Sequence, residues 1–146
     1  MLFFTYIERG DYVREIHFTI DGPVQPQGRP RFGNGRAYDP KGSRDYKRHV
    51  QQVGLDYALD QLIETAIELH IDVYWQRPKR YSEKKELLQF KDELRPTTKP
   101  DLDNLAKGIK DGLTGVIWKD DSQIVSLYLH KHYCDVPRAE IKIRFE

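Results

Sequence analysis

The sequence predicts a single α+β domain in which helices pack on one face of a mixed β-sheet and the chain ends in an antiparallel hairpin. Three observations support this fold class. The length of 146 residues is the usual size of one domain. Segments with the two-residue alternation of strands are interleaved with segments whose apolar residues recur at helical spacing. The last two alternating segments, IVSLYLHKHY and AEIKIRF, are joined by the short stretch CDVPR, as in a hairpin.

The first half of the chain combines a strand, a hairpin and a helix. REIHFTI alternates apolar and polar residues, as a half-buried strand does, and the Pro/Gly-rich stretch DGPVQPQGRP ends it. In RPRFGNGRAY two short extended arms flank Gly33, Asn34 and Gly35, which tolerate positive φ, so we expect a basic hairpin here. Ser43 can cap a helix whose apolar residues recur every three or four positions from Tyr46 onward.

The second half begins with AIELHIDVYW, which shows the clearest strand alternation in the chain. SEKKELLQF predicts a short helix after Ser82, and RPTTKP ends it. A further helix is expected to begin near Asp101, because Pro100 disfavours helix at the residue before it and suits a first turn. Its core-facing residues would be Leu102, Leu105, Ile109 and Leu113.

The composition argues against a membrane span, a signal peptide, an intrachain disulfide and a zinc site. We find no apolar run long enough to cross a membrane, and MLFFTYIERG is too short and becomes charged too early for a signal peptide, so we expect an intracellular, cytoplasmic protein. The single cysteine, Cys134, cannot form an intrachain disulfide and is interpreted as an ordinary strand residue. His70 has no second histidine or cysteine at ligand spacing, which argues against a zinc site.

A local excess of positive charge lies in residues 26–50, although the net charge of the chain is only +1. This window holds seven arginines and lysines against two aspartates. Such a segment could bind a polyanion, or it could be a solvated loop and helix face. The sequence leaves both interpretations open.

The run KPDLDNLAKGIKDGLTGVIWKDDSQI carries five aspartates. Side chains two apart in a helix diverge by about 200°, so Asp101 must lie outside the regular helix if it shares a site with Asp103. Helix capping alone would explain one or two of these acids. Asp120 and Asp121 either form a turn into the next strand or return toward Asp101 and Asp103. Carboxylates without histidine or thiolate ligands favour Mg²⁺ or Mn²⁺.

This run closely resembles the signature of RusA-type Holliday-junction resolvases, small endonucleases of bacteria, phages and prophages. The pattern is an acid, one residue, an acid, Asn, a Lys four residues after the second acid, and then a Trp before paired acids. GRPRFGNGRAYDP resembles the basic N-terminal segment of the same family, and the resemblance covers roughly residues 16–145. The stretch RPKRYSEKKELLQFKDELRPTT is longer than in the shortest members and resembles the Gram-positive type, which bears on substrate preference more than on chemistry.

The resemblance implies a Mg²⁺-dependent homodimer, with Mn²⁺ as an alternative metal, that cuts four-way DNA junctions by paired incisions. By position, the residues that match the catalytic and metal-binding set are Asp101, Asp103, Lys107 and Asp121. The residues expected to support them are Asp120, Asp111 and Asn104. Lys107 would bind the phosphate or steady Asp103, although spacing alone favours an ordinary ion pair within the helix.

DNA contacts are expected from the basic segment and from the start of the aspartate run. The predicted phosphate-binding residues are Arg29, Arg31, Arg36 and Lys99. Tyr38 could stack on an unpaired base or pack within the protein. Two other functions compatible with the same residues are a junction-binding protein that does not cleave and a less selective nuclease for flaps and other branched DNA.

Overall fold

The computed structural model describes residues 2–6, 12–79 and 82–146. The main sheet of this described part has five strands in the order β1, β2, β7, β5, β6, and a separate hairpin is formed by β3 and β4. The strands are β1 Leu2–Tyr6, β2 Tyr12–Asp21, β3 Arg31–Gly33, β4 Arg36–Tyr38, β5 Ile67–Gln76, β6 Ile124–Cys134 and β7 Arg138–Phe145. The helices are α1 Lys41–Leu55, α2 Glu83–Phe90 and α3 Leu102–Leu113.

The predicted α+β class and mixed sheet are confirmed. β5 and β6 are parallel, whereas β1–β2, β2–β7 and β7–β5 are antiparallel. β1 lies in the N-terminal segment MLFFTYIERG, for which no strand is predicted from the sequence. Outside the described residues lie residues 7–10 of that segment and residues 80 and 81 of the long stretch before the aspartates.

The C-terminal hairpin prediction needs a correction. β6 and β7 run antiparallel as predicted, but β5 lies between them, so they are not hydrogen-bonded neighbours. The four Cα steps from Cys134 to Arg138 can reach about 14 Å, enough to pass one strand at a spacing of about 4.8 Å. A short connection therefore predicts the relative direction of two strands but not their adjacency.

The apolar core lies between one face of the sheet and the helices α1 and α3. The buried strand residues are those of the predicted alternations, and Leu105, Ile109 and Leu113 of α3 are fully buried against them. Gly112 allows the two helices to approach closely, because a Cβ atom there would lie 2.7 Å from Cγ1 of Val50. The prediction of helices on one face is confirmed for this pair.

The short helix α2 lies elsewhere, at one end of the opposite sheet face. Its residue Gln89 is buried beside Tyr74 and Arg138, whose side chains point away from the apolar core. Ser82 caps this helix as predicted, by accepting a hydrogen bond from the backbone N–H of Lys85. In the described part of the chain, no helix combines the length and apolar character needed to span a membrane.

Candidate active site

The first two aspartates lie where α3 begins. Asp101 is the N-cap residue with an extended backbone, φ −67° and ψ 144°, and therefore lies outside the helix as a shared site with Asp103 requires. The carboxylate of Asp101 makes no side-chain capping hydrogen bond. Asp101 and Asp103 are both exposed, at the end of the helix where backbone N–H groups favour negative charge. Capping therefore does not account for Asp101.

Lys131 of β6 holds the segment that leads into α3. Its Nζ donates hydrogen bonds to the carbonyl oxygens of Thr98, at 2.7 Å, and Pro100, at 2.8 Å. Burial lowers the pKa of Lys131, and the nearby charge of Asp101 partly offsets that effect. These residues line an open cleft of about 450 Å³ together with the exposed Lys99. The sequence interpretation missed Lys131, although a lysine two residues after Leu129, which packs against the core, was a detectable signal.

The later aspartates lie beyond the other end of α3. Oδ1 of Asp121 accepts hydrogen bonds from Oγ1 of Thr114, at 2.6 Å, and from Nε1 of Trp118, at 2.9 Å. Its second oxygen, Oδ2, has no hydrogen-bonding partner within the described residues. Asp120 has a structural role, because its carboxylate accepts from the N–H of Ser122 and caps the single 3-10 turn Asp121–Gln123. That hydrogen bond lowers the pKa of Asp120.

One chain does not bring the three predicted metal-binding carboxylates together. Ten residues separate Asp103 from the last residue of α3, so the helix puts about 15 Å between the two groups of acids. Among the described residues, no group of three or more His, Cys, Asp or Glu side chains is arranged to hold a metal ion. Of the two alternatives for Asp120 and Asp121, the turn into β6 holds within a single chain. The metal site remains a prediction.

Lys107 lies in the middle of the exposed face of α3. Its Nζ is 3.9 Å from Oδ2 of Asp111, which is the ordinary helical ion pair that the spacing favours. Asp111 also approaches Lys47 of α1 at 3.6 Å, and Lys47 is paired with Asp39 at 2.6 Å. The hydrogen bond from Lys47 lowers the pKa of Asp39. The side chains of these four residues thus form a row of alternating charges that links α3 to α1.

The basic hairpin projects beside α3. Its turn consists of Asn34, φ 51°, and Gly35, φ 74°, so the predicted turn is confirmed at two of its three residues, while Gly33 pairs with Arg36 in the ladder. The predicted contact residues Arg29, Arg31, Arg36 and Tyr38 are all exposed. Phe32, at 84% exposure, is a further aromatic residue that the sequence interpretation did not select.

The base of the hairpin is anchored to both helices. Gly28 donates its backbone N–H to Oγ of Ser43 at 2.9 Å, and Gln27 donates its N–H to the carbonyl of Asn104 at 3.1 Å. Ser43 is therefore not the helix cap that the sequence predicted, since α1 begins at Lys41 with Pro40 as its N-cap. The side chain of Asn104 is exposed, and its backbone carbonyl makes the contact. These bonds attach the segment before the hairpin to α1 and to the first turn of α3.

Comparisons with known proteins agree with this arrangement of a basic hairpin and a run of aspartates. The family model described as Endodeoxyribonuclease RusA matches residues 21–144. The chain is also 42% identical over 135 residues to an uncharacterized protein, YqaN, of Bacillus subtilis strain 168, and the match covers 88% of this chain and 95% of that protein. The family match confirms the resemblance found in the sequence. The chain belongs to the RusA endodeoxyribonuclease family.

Proposed function

We propose that this protein is a homodimeric, divalent-metal-dependent endonuclease that resolves four-way DNA junctions by paired incisions. The observation that carries the proposal is the division of the candidate catalytic acids between the two ends of α3 in a member of an endodeoxyribonuclease family. Each end of α3 keeps a carboxylate oxygen to which no described residue donates a hydrogen bond. Asp101 is not used as a helix cap, and Oδ2 of Asp121 is unpaired within the described residues.

The chemistry of the donor set fits Mg²⁺, with Mn²⁺ as an alternative. Asp101, Asp103 and Asp121 supply only carboxylate oxygens, which hard divalent cations prefer. When bound, such an ion activates water and neutralises charge on a phosphodiester. The contribution of the protein is to orient the carboxylates, and Thr114 and Trp118 already do so for Asp121.

A second chain can bring the two groups of acids together along β6. This strand is at the edge of the sheet, and it exposes Val125, at 70%, together with Leu127 and Tyr128. Exposed edge strands with apolar side chains are prone to pair with another chain. Two β6 strands paired antiparallel about a two-fold axis at this segment would bring Asp121 of one subunit beside Lys131 of the other. Lys131 contacts Pro100, the residue before Asp101.

A dimer with a two-fold axis would provide two equivalent sites for the two incisions of the proposed reaction. Each site would combine Asp101 and Asp103 of one subunit with Asp121 of the partner subunit, so a dimer would contain two equivalent sites. Two sites related by symmetry can cut two strands of a symmetric four-way junction. This arrangement would also couple cleavage to dimer formation.

The basic hairpin and α3 supply the proposed DNA surface. Arg29, Arg31, Arg36 and Lys99 would contact phosphates, which gives affinity that falls steeply with salt and little sequence discrimination. Lys107 is 59% exposed in its side chain and only loosely paired with Asp111, so its ammonium group can contact the phosphate near Asp103. Tyr38 would stack on an unpaired base.

A substrate panel tests the proposed activity. Four-way junctions, flaps and linear duplexes of equal length are incubated with the wild-type protein at one salt concentration, with and without Mg²⁺. We expect paired incisions in the four-way junction only when Mg²⁺ is present. Equal cutting of flaps would favour the less selective nuclease, and tight binding to junctions without any cutting would favour the non-cleaving protein.

A further inference from the structure

A cavity of about 220 Å³ lies on the sheet face opposite α3, between α2 and the ends of β5, β6 and β7. The lining residues used in this inference are Tyr74, Arg77, Glu86, Gln89, Phe90 and Arg138. None of them belongs to the predicted metal or phosphate sites. The cavity is smaller than the usual ligand pocket of about 300–1,000 Å³, so its size suits one small planar group.

Gln89 carries the polar group of interest in this cavity. The residue is only 7% exposed, yet both Oε1 and Nε2 of its side chain are buried without a hydrogen bond to any residue that the structure describes. Buried amides in folded proteins are nearly always hydrogen-bonded, because an unsatisfied group loses the water it had in the unfolded chain. Gln89 therefore offers one donor and one acceptor, side by side in one plane, to a ligand with the complementary pair.

The ring of Phe90, the residue that follows Gln89, also lines the cavity. Phe90 is 89% exposed, which is exceptional for a phenylalanine at the end of a helix that packs on a sheet. On the other side, the guanidinium of Arg138 lies 3.8 Å from the centroid of the Tyr74 ring. Because Tyr74 is stacked with both Arg138 and His132, the exposed ring of Phe90 is the flat group on which a planar ligand can stack.

The charges around the cavity oppose an anionic ligand. Arg77 is paired with Asp135 at 2.6 Å and approaches Glu86 at 3.8 Å, while Arg138 is paired with Glu140 at 3.1 Å. These arginines are therefore neutralised by protein carboxylates, and a phosphate would meet Glu86 and Asp135. A neutral ligand is favoured.

The cavity is joined to the segment that leads to the candidate active site. Asp92, two residues after α2, accepts from Nδ1 of His132 at 2.8 Å, and Nε2 of the same ring is 2.7 Å from Asp72 of β5. The chain then continues past the β6 edge to Lys131 and Asp101. The helix that carries Gln89 and Phe90 is thus followed in the chain by the segment that Lys131 holds in front of Asp101.

We infer that this cavity binds an unstacked nucleobase of the DNA substrate, with the edge of the base hydrogen-bonded to the Gln89 amide and its face stacked on Phe90. A nucleobase is neutral, planar and carries adjacent donors and acceptors, which matches the amide and the ring together. This inference rests on the proposed function, because it takes branched DNA to be the substrate.

The test measures binding rather than cleavage. A four-way junction carrying one unpaired 2-aminopurine at the branch is titrated with protein in the absence of divalent metal, and an abasic junction is the comparison. The wild type should change the 2-aminopurine fluorescence and bind this junction about tenfold more tightly than the abasic one. Gln89→Leu should abolish that preference, and Leu87→Ala, on the same helix outside the cavity, should retain it.

Two further measurements distinguish a ligand site from a structural amide. Gln89→Leu removes the unsatisfied polar atoms, so its melting temperature should equal or exceed that of the wild type; a clear decrease would show that the amide serves the fold and would overturn the inference. Phe90→Ala alters only an exposed ring and should reduce the preference for the base about fivefold or more. Should the wild type bind no branched DNA at all, the proposed function fails. Should it bind both junctions equally, only the base site fails.

Discussion

The two ends of α3 differ in how they hold their acids. At the N-terminal end, Asp101 and Asp103 are exposed, and only the backbone before them is held, by Lys131. At the C-terminal end, the Asp121 carboxylate is fixed by Thr114 and by an indole N–H. A rigid helix separates the two groups. The difference teaches that one end holds its carboxylate in a fixed position and the other leaves its carboxylates free to move, and the proposed dimer would combine the two ends.

The strongest test of a site shared between the two ends of α3 is to mix two inactive variants. Asp103→Asn and Asp121→Asn should each reduce junction cleavage by about a thousandfold or more, because a metal ligand is lost. After co-expression, a heterodimer would contain one site with both changes and one site with neither. We expect the mixture to nick a four-way junction in the presence of Mg²⁺, with single rather than paired incisions, as read on a denaturing gel.

The control for this experiment is a mixture of Asp103→Asn with Asp101→Asn. Both changes lie at the same end of α3, so neither site in the heterodimer would be intact, and no nicking is expected. If the mixture of Asp103→Asn with Asp121→Asn were equally inactive while forming dimers, the site would not be shared between subunits.

The preformed end can be loosened without removing its acid. Thr114→Val has nearly the same shape but cannot donate to Asp121, so metal affinity should fall by about 10- to 100-fold. The measurement is the Mg²⁺ concentration needed for half-maximal cleavage, which should rise while excess Mg²⁺ restores the rate. Thr114→Ser keeps the hydroxyl and should behave as wild type. An unchanged Mg²⁺ requirement for Thr114→Val would mean that this hydrogen bond does not orient a ligand.

The packing of α3 also differs between two of its glycines, Gly108 and Gly112. In Gly112→Ala the new Cβ would lie 2.7 Å from Val50 Cγ1 and 3.2 Å from the Lys47 carbonyl, so the free energy of unfolding should fall by about 1–3 kcal/mol. In Gly108→Ala the nearest atom is 3.5 Å away, an ordinary contact, and the helix should gain about 0.5–1 kcal/mol. Urea unfolding of both variants measures the contrast, which equal effects would contradict.

The smallest expected effect concerns the open end. Lys131→Met removes two hydrogen bonds to the carbonyls of Thr98 and Pro100, so the segment before Asp101 should be held less firmly and cleavage should fall about threefold to tenfold. Lys119→Met is the matched control, because it removes only an exposed ion pair with Glu64. Equal cleavage rates for the two variants would show that Lys131 does not position the acids.

Most of the fold could be predicted because its pattern is local. The alternation in β2, β5 and β7, the helical spacing in α3 and the start of that helix after Pro100 all follow from side-chain periodicity and proline geometry. The hairpin of β6 and β7 could not be predicted correctly, because β5 enters between strands that are adjacent in the sequence. The prediction that Ser43 caps α1 was wrong, because its hydroxyl accepts a hydrogen bond from the N–H of the distant Gly28.

The candidate site also contains residues that the sequence could identify and residues that only the folded structure reveals. Its acids and arginines could be selected from two stretches that resemble the family, and such a resemblance is a property of neighbouring residues. The contributions of Lys131, Thr114 and Gln89 could not, because each depends on a contact with a residue brought near by folding or on the lack of one. Of these, Lys131 alone carried a visible signal, as a lysine at a core-facing strand position.

By itself, the sequence determined which residues alternate, where α3 begins and which charged groups are gathered near one another along the chain, since periodicity and chain geometry act over a few residues. Only the tertiary structure decided that Asp121 lies at the far end of α3 from Asp103, that β5 separates the last two strands and that Gln89 is buried without a partner among the described residues. Those outcomes depend on contacts between distant segments, whose free energies are balanced across the whole core.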